Sequence, residues 1–100
     1  MGKVVVVFEF PGMTHSDYDA ICADLDANGK LWNVNRPSHV SFERDGKWCV
    51  VDVWNSAEAV QEFAQTGLMP AFNRLGITPP QPVILPVYKW MGVAEELTSA

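Results

Sequence analysis

The dipeptide Asp45-Gly46, set between two strand-like runs that extend from Ser38 to Trp54, constrains this chain more than any other feature, because it writes a β-hairpin whose register can be counted. A two-residue type I′ connection needs positive φ at both central positions, which Gly adopts freely and Asp more readily than most residues. Counting outward pairs Arg44 with Lys47, Glu43 with Trp48, Phe42 with Cys49, Ser41 with Val50, Val40 with Val51 and His39 with Asp52. Successive strand residues face opposite ways, so Phe42, Cys49, Val40, Val51 and Val53 share one apolar face. Glu43, Trp48, Ser41, Val50, His39, Asp52 and Trp54 share the other, which sets an imidazole across from a carboxylate beside an indole.

A chain of 100 residues suffices for one core and not for two, and 48% apolar against 19% charged residues marks it as globular. The net charge of −5, with seven basic residues scattered along the chain, excludes a phosphate-tracking nucleic-acid surface. Val4 to Phe8 is only strand-sized and Pro11-Gly12 follows it, so no run reaches the length of a membrane span. A basic start, a longer apolar block and a small-residue cleavage site are missing as well, which makes cytoplasmic residence the default expectation. Cys22 and Cys49 are too few for a disulfide framework and lack metal-ligand spacing; they read as reduced, packed thiols.

Val4 to Phe10 is β-branched and aromatic, and reads as a first strand buried on both faces. Thr14 with Asp17 three residues on resembles a capping box; Tyr18, Ile21, Cys22 and Leu25 then recur at helical spacing until Asn28-Gly29. Residues 30–37 form a loop carrying Trp32, Asn33, Asn35 and Arg36. After the hairpin, Ser56 offers an N-cap, and Val60, Phe63, Ala64, Leu68, Ala71, Phe72 and Leu75 repeat at threes and fours up to Gly76. Thr66-Gly67 and Pro70 predict a break or kink in that second helix. Three prolines lead into a last strand over residues 83–90, whose Pro86 belongs at an edge or a bulge. Residues 1–92 thus read as one domain and 93–100 as a tail.

The order strand, helix, strand, strand, helix, strand is the split βαβ arrangement of a ferredoxin-like α+β domain, with two helices on one face of a four-stranded antiparallel sheet. Two helices bury only one face, and a wet second face should alternate apolar with polar residues. Here the first strand is apolar on both sides, and the hairpin face away from Phe42 and Val51 still offers Trp48, Val50 and Trp54. Each such side chain left in water forgoes roughly 1.5–3 kcal/mol. The expectation is a two-fold homodimer with sheets facing each other and polar residues grouped about a cavity.

The segment Trp48-x-Val50-x-Asp52-Val53-Trp54-x-Ser56-x-Glu58-Ala59, followed by Phe63, Leu68, Pro70 and Phe72, resembles the dimeric α+β barrel superfamily and, within it, the antibiotic biosynthesis monooxygenase-like domains. The likeness runs from the first strand to Trp90 and rests on soft motifs. It implies a homodimer, and a superfamily of cofactor-independent oxygenases of aromatic polyketides and quinols, haem-degrading enzymes, polyketide cyclases and lactone isomerases. Such a likeness specifies architecture better than chemistry. Many oxygenase-like relatives carry a histidine in the helix after this segment, where the present chain has Phe63; that departure counts against haem.

Two readings of function follow. In the first, a cofactor-independent enzyme acts on a small aromatic or enolisable molecule: His39 is the general base, Asp52 orients it, and Trp54 walls out water. Tyr88 on the last strand would offer a phenolic hydroxyl to the substrate, while Trp32 and Arg36 would guard the pocket mouth. In the second, the chain is a non-catalytic homodimeric module that binds a small hydrophobic molecule or only itself. His39 and Asp52 are then a self-satisfied cross-strand pair, Trp54 is dimer packing and Tyr88 an amphipathic edge residue. His39 and Asp52 have no third partner at metal-ligand spacing, and no phosphate loop or nucleophile elbow is present, so neither a metal nor a cofactor is expected.

Overall fold

A computed structural model of the chain describes residues 2–92; the expected tail over 93–100 lies outside the described residues. Strand β1 (Val4–Pro11) is followed by helix α1 (His15–Ala27), strands β2 (Ser38–Arg44) and β3 (Lys47–Trp54), a helical segment from Ala57 to Leu75, and strand β4 (Val83–Pro86). All pairings are antiparallel and the sheet order is β2-β3-β1-β4, the ferredoxin-like arrangement. The hairpin has the counted register from Arg44–Lys47 to His39–Asp52 and continues to Ser38–Val53. At its turn Asp45 and Gly46 both take positive φ, 53° and 78°, as a type I′ connection demands.

Local chemistry accounts for the helix boundaries. Thr14 Oγ1 accepts from the Asp17 N–H at 3.2 Å and Asp17 Oδ2 accepts from the Thr14 N–H at 3.1 Å, so the capping box is closed at both ends. Beyond α1, Gly29 adopts the left-handed conformation that terminates helices. The break expected in the second helix takes a specific form: α2 (Ala57–Phe63) and α3 (Met69–Leu75) are joined without a gap by a π-helical turn over Ala64–Leu68. Pro70 has no N–H to give, and the wider turn immediately before it absorbs the change in hydrogen-bond register. Gly67 in that turn is buried against Lys30, whose Cβ a methyl at that position would approach to 3.1 Å. Arg74 on α3 meets Asp24 on α1 through both carboxylate oxygens, and this pair lowers the Asp24 pKa.

Two expectations require correction. Trp48, Val50, Asp52 and Trp54 lie on the face that the helices cover, with Val6, Phe10, Ile21, Leu25, Val60, Phe63 and Phe72 completing the core. The face left open is that of Val40, Phe42, Val51 and Val53, joined by Val5, Val7, Val83 and Leu85. Both hairpin faces are rich in apolar residues, so alternation separates them without saying which one the helices take. Strand β4 also ends at Pro86 and not at Trp90. Its partner β1 begins at Val4, and after Val87 N–H has donated to Lys3 O at 3.0 Å there is no further ladder to join. Among the described residues no helix is long and apolar enough to cross a membrane.

Candidate active site

Between the sheet and the helices lies a cavity of about 400 Å³. Its walls are largely core side chains, including Val6, Phe10, Ile21, Leu25, Val50, Trp54 and Phe63, and its polar lining comes from Tyr18, His39, Asp52 and the loop residues Asn33, Arg36 and Ser38. An apolar pocket with a few convergent polar groups is the usual form of a small-molecule site. This cavity lies within one chain, under the helices, whereas the sequence suggested one between two facing sheets.

The hairpin register brings His39 and Asp52 directly opposite each other. Asp52 is 5% exposed and its Oδ1 lies 2.5 Å from His39 Nδ1; its Oδ2 lies 3.4 Å from the Trp54 indole Nε1. On the far side of the imidazole, Nε2 stands 2.5 Å from the Tyr18 hydroxyl, which α1 presents across the cavity from the sheet. With Asp52 ionised, its oxygen accepts from Nδ1–H, which leaves the Nε2 lone pair to accept from the Tyr18 hydroxyl. The result is a continuous chain Tyr18–His39–Asp52–Trp54 built from three elements. Burial raises the Tyr18 pKa above its ordinary value near 10 as the largest cause, so the phenol stays a neutral donor at neutral pH. The Tyr18 ring is also parallel to the imidazole within 10°, and lies 5.4 Å from the Trp48 ring.

The residues singled out from sequence divide as follows. His39, Asp52 and Trp54 come together at the cavity, and Trp54, 1% exposed, packs against Phe63 at 5.2 Å within its own chain. Trp32 and Arg36 line the same cavity from the loop between α1 and β2, Trp32 largely exposed and Arg36 half-buried. Tyr88 lies past the end of β4, fully exposed and away from the cavity lining. Tyr18 is the residue that sequence reasoning missed, having been read only as part of the apolar stripe of α1. The available signal was a phenol on a core-facing helix stripe, because a buried hydroxyl needs a partner. Among the described residues no group of three or more His, Cys, Asp and Glu side chains is placed to hold a metal ion.

No protein-family model matches the sequence, and no curated protein matches it. Solved structures do match in fold. The cofactor-independent oxygenase SnoaB from Streptomyces nogalater superposes with a TM-score of 0.65 at 15% identity, covering 91% of this chain and 98% of that one. Rv0793 from Mycobacterium tuberculosis gives 0.64 at 18% identity, with 91% and 100% covered. A candidate antibiotic biosynthesis monooxygenase from Caulobacter crescentus gives 0.63 at 18% identity, with 90% and 92% covered. The chain has the fold of these antibiotic biosynthesis monooxygenase-like structures, the fold that the resemblance in its residues from Trp48 to Ala59 implied.

Proposed function

We propose that this protein is a cofactor-independent enzyme that moves a proton on a small aromatic or enolisable molecule held in the cavity, and that it works as a homodimer paired through the open face of its sheet. The observation that carries the reading is the hydrogen-bonded chain Tyr18–His39–Asp52, which ends in an apolar cavity. A ligand oxygen takes the Tyr18 hydroxyl as donor, which releases His39 Nε2 to accept a proton from the adjoining carbon or hydroxyl. Asp52 holds the imidazolium that forms, and Tyr18 holds the ligand oxyanion. The electron-rich anion so produced is the common starting point of isomerisation, ring closure and reaction with dioxygen, and the likeness to SnoaB in fold supports the last of these. A non-catalytic module with a closed or minimal cavity fits a volume of about 400 Å³ less well.

The test uses 2-tetralone, a flat bicyclic ketone with acidic α-hydrogens, whose exchange with deuterated water is followed by proton NMR. The wild-type protein accelerates exchange, and His39→Ala reduces the acceleration by roughly 10²–10⁴-fold while sedimentation shows the dimer intact. Exchange at the wild-type rate in that variant would remove His39 as the base.

A further inference from the structure

The cavity contains a polar group that the proton relay does not use. Arg36 lines it from the loop between α1 and β2, half-buried, with one terminal nitrogen donating to Leu31 O at 2.7 Å. Its guanidinium carbon lies 5.7 Å from the ring centroids of both Trp54 and Phe63. The loop is pinned to its surroundings: Asn55 N–H donates to Asn35 O at 2.8 Å, and Arg36 N–H donates to Asn33 O at 3.1 Å. The cation is thus positioned by the protein itself.

Among the described residues it has no counter-charge. The four ion pairs among the described residues are His39–Asp52, Arg44–Asp45, Lys47–Glu9 and Arg74–Asp24, and none involves Arg36. Asp52, the carboxylate of the cavity, turns one oxygen to His39 and the other towards the Trp54 indole. The half-buried guanidinium lies beside the Trp54 and Phe63 rings and gives one of its five donors to a backbone carbonyl, which leaves donors free to meet an anion in the cavity.

We infer that Arg36 anchors an anionic group of the ligand, so that the molecule taken by this cavity is a flat aromatic acid. The inference rests on reading the cavity as a ligand site and adds the ligand's charge. A planar guanidinium pairs with a carboxylate through two parallel hydrogen bonds, and the Trp54 and Phe63 rings beside it supply the apolar wall against which the aromatic part of the ligand lies.

The experiment compares 2-naphthoate with 2-naphthamide, which share a shape and differ in charge, by calorimetry and tryptophan fluorescence. Wild-type protein binds the acid roughly ten- to hundredfold more tightly than the amide. Arg36→Gln abolishes that preference, and Arg36→Lys, which keeps the charge without the fork, retains part of it. Because Arg36 packs beside Trp54 and Phe63, circular dichroism first establishes that each variant is folded; if Arg36→Gln is not, the wild-type ratio and the Arg36→Lys variant decide. Equal affinity for the two probes, binding of neither, or an undiminished preference in Arg36→Gln overturns the inference. The ratio is read without turnover. Loss of tetralone exchange with the ratio retained therefore fails the proton-transfer reading alone, and the reverse fails the anchor alone.

Discussion

Strands β1 and β3 supply both faces of the sheet, and the two faces meet different environments. Val6, Phe10, Val50 and Trp54 are buried beneath the helices, whereas on the opposite side Val40, Phe42, Val83 and Leu85 are 40–55% exposed around a half-buried centre of Val5, Val7, Val51 and Val53. Apolarity does not distinguish them. The covered face mixes in His39 and Asp52, and those groups are paired with each other, with the Trp54 indole and with Tyr18 from α1. A buried polar group such as Asp52 persists when its partners are built in, so that pairing marks the covered face as the place for chemistry. Among the described residues the open face pairs nothing comparable: Glu9 at its margin reaches Lys47 at 3.8 Å. A continuous apolar surface of this kind is suited to adhesion, and the proposed homodimer uses it.

The sharpest way to break this contrast is to truncate one large side chain on the covered face. Trp54→Ala removes a wall of the cavity and the indole beside Asp52 together, and is expected to cost about 3–5 kcal/mol. Chemical denaturation measures the loss, and a cost below about 1 kcal/mol would mean that Trp54 is not the core residue its burial indicates. On the open face the consequence differs in kind. Val51→Asp, set between Val7 and Val40, leaves the monomer folded and weakens pairing by at least the roughly 1.5–3 kcal/mol of one buried side chain, or about ten- to hundredfold in dissociation constant. Analytical ultracentrifugation over a concentration series checks this. An unchanged dimer would place the interface elsewhere, and an unfolded chain would show that the face belongs to the core.

Much of this arrangement can be read from the chain, and the parts that cannot share a reason. The hairpin register, the Thr14 capping box and the stop at Gly29 are dictated by residues within a few positions of each other, where backbone sterics and local hydrogen bonds decide. The same register placed His39 across from Asp52. The choice of covered face, the length of β4 and the role of Tyr18 depend instead on what distant segments bring. Alternation in β3 gives two apolar stripes and no preference between them. The last strand stops because β1 begins at Val4, which residues 83–90 do not reveal. Tyr18 becomes the third member of the site only when α1 is laid across β2, 21 residues further along the chain. In the second helix Pro70 signalled a disturbance, but its accommodation as a π turn over Ala64–Leu68 also reflects Gly67 fitting against Lys30.

The smallest expected effect sharpens the boundary of the covered face at Tyr18. Removing the hydroxyl in Tyr18→Phe leaves the ring in place and gives up one hydrogen bond to His39, a loss of about 0.5–1.5 kcal/mol at neutral pH. Burial, the largest cause, raises the phenol's pKa above 10, so the folded chain holds this proton more tightly than the unfolded one. The sign follows from linkage: the stabilisation associated with the protonated phenol is complete below about pH 10 and is lost as pH rises through the folded-state value. Wild-type protein should therefore lose its advantage over Tyr18→Phe as the pH climbs beyond 10, and should show no such narrowing between pH 6 and 9. Parallel thermal melts of the two proteins measure the gap. The 295 nm absorbance titration supplies an independent reading, since the component absent from Tyr18→Phe should ionise above pH 10. Ionisation of that component below pH 10 would mean that the hydroxyl is not desolvated, and that the proton relay ends at His39.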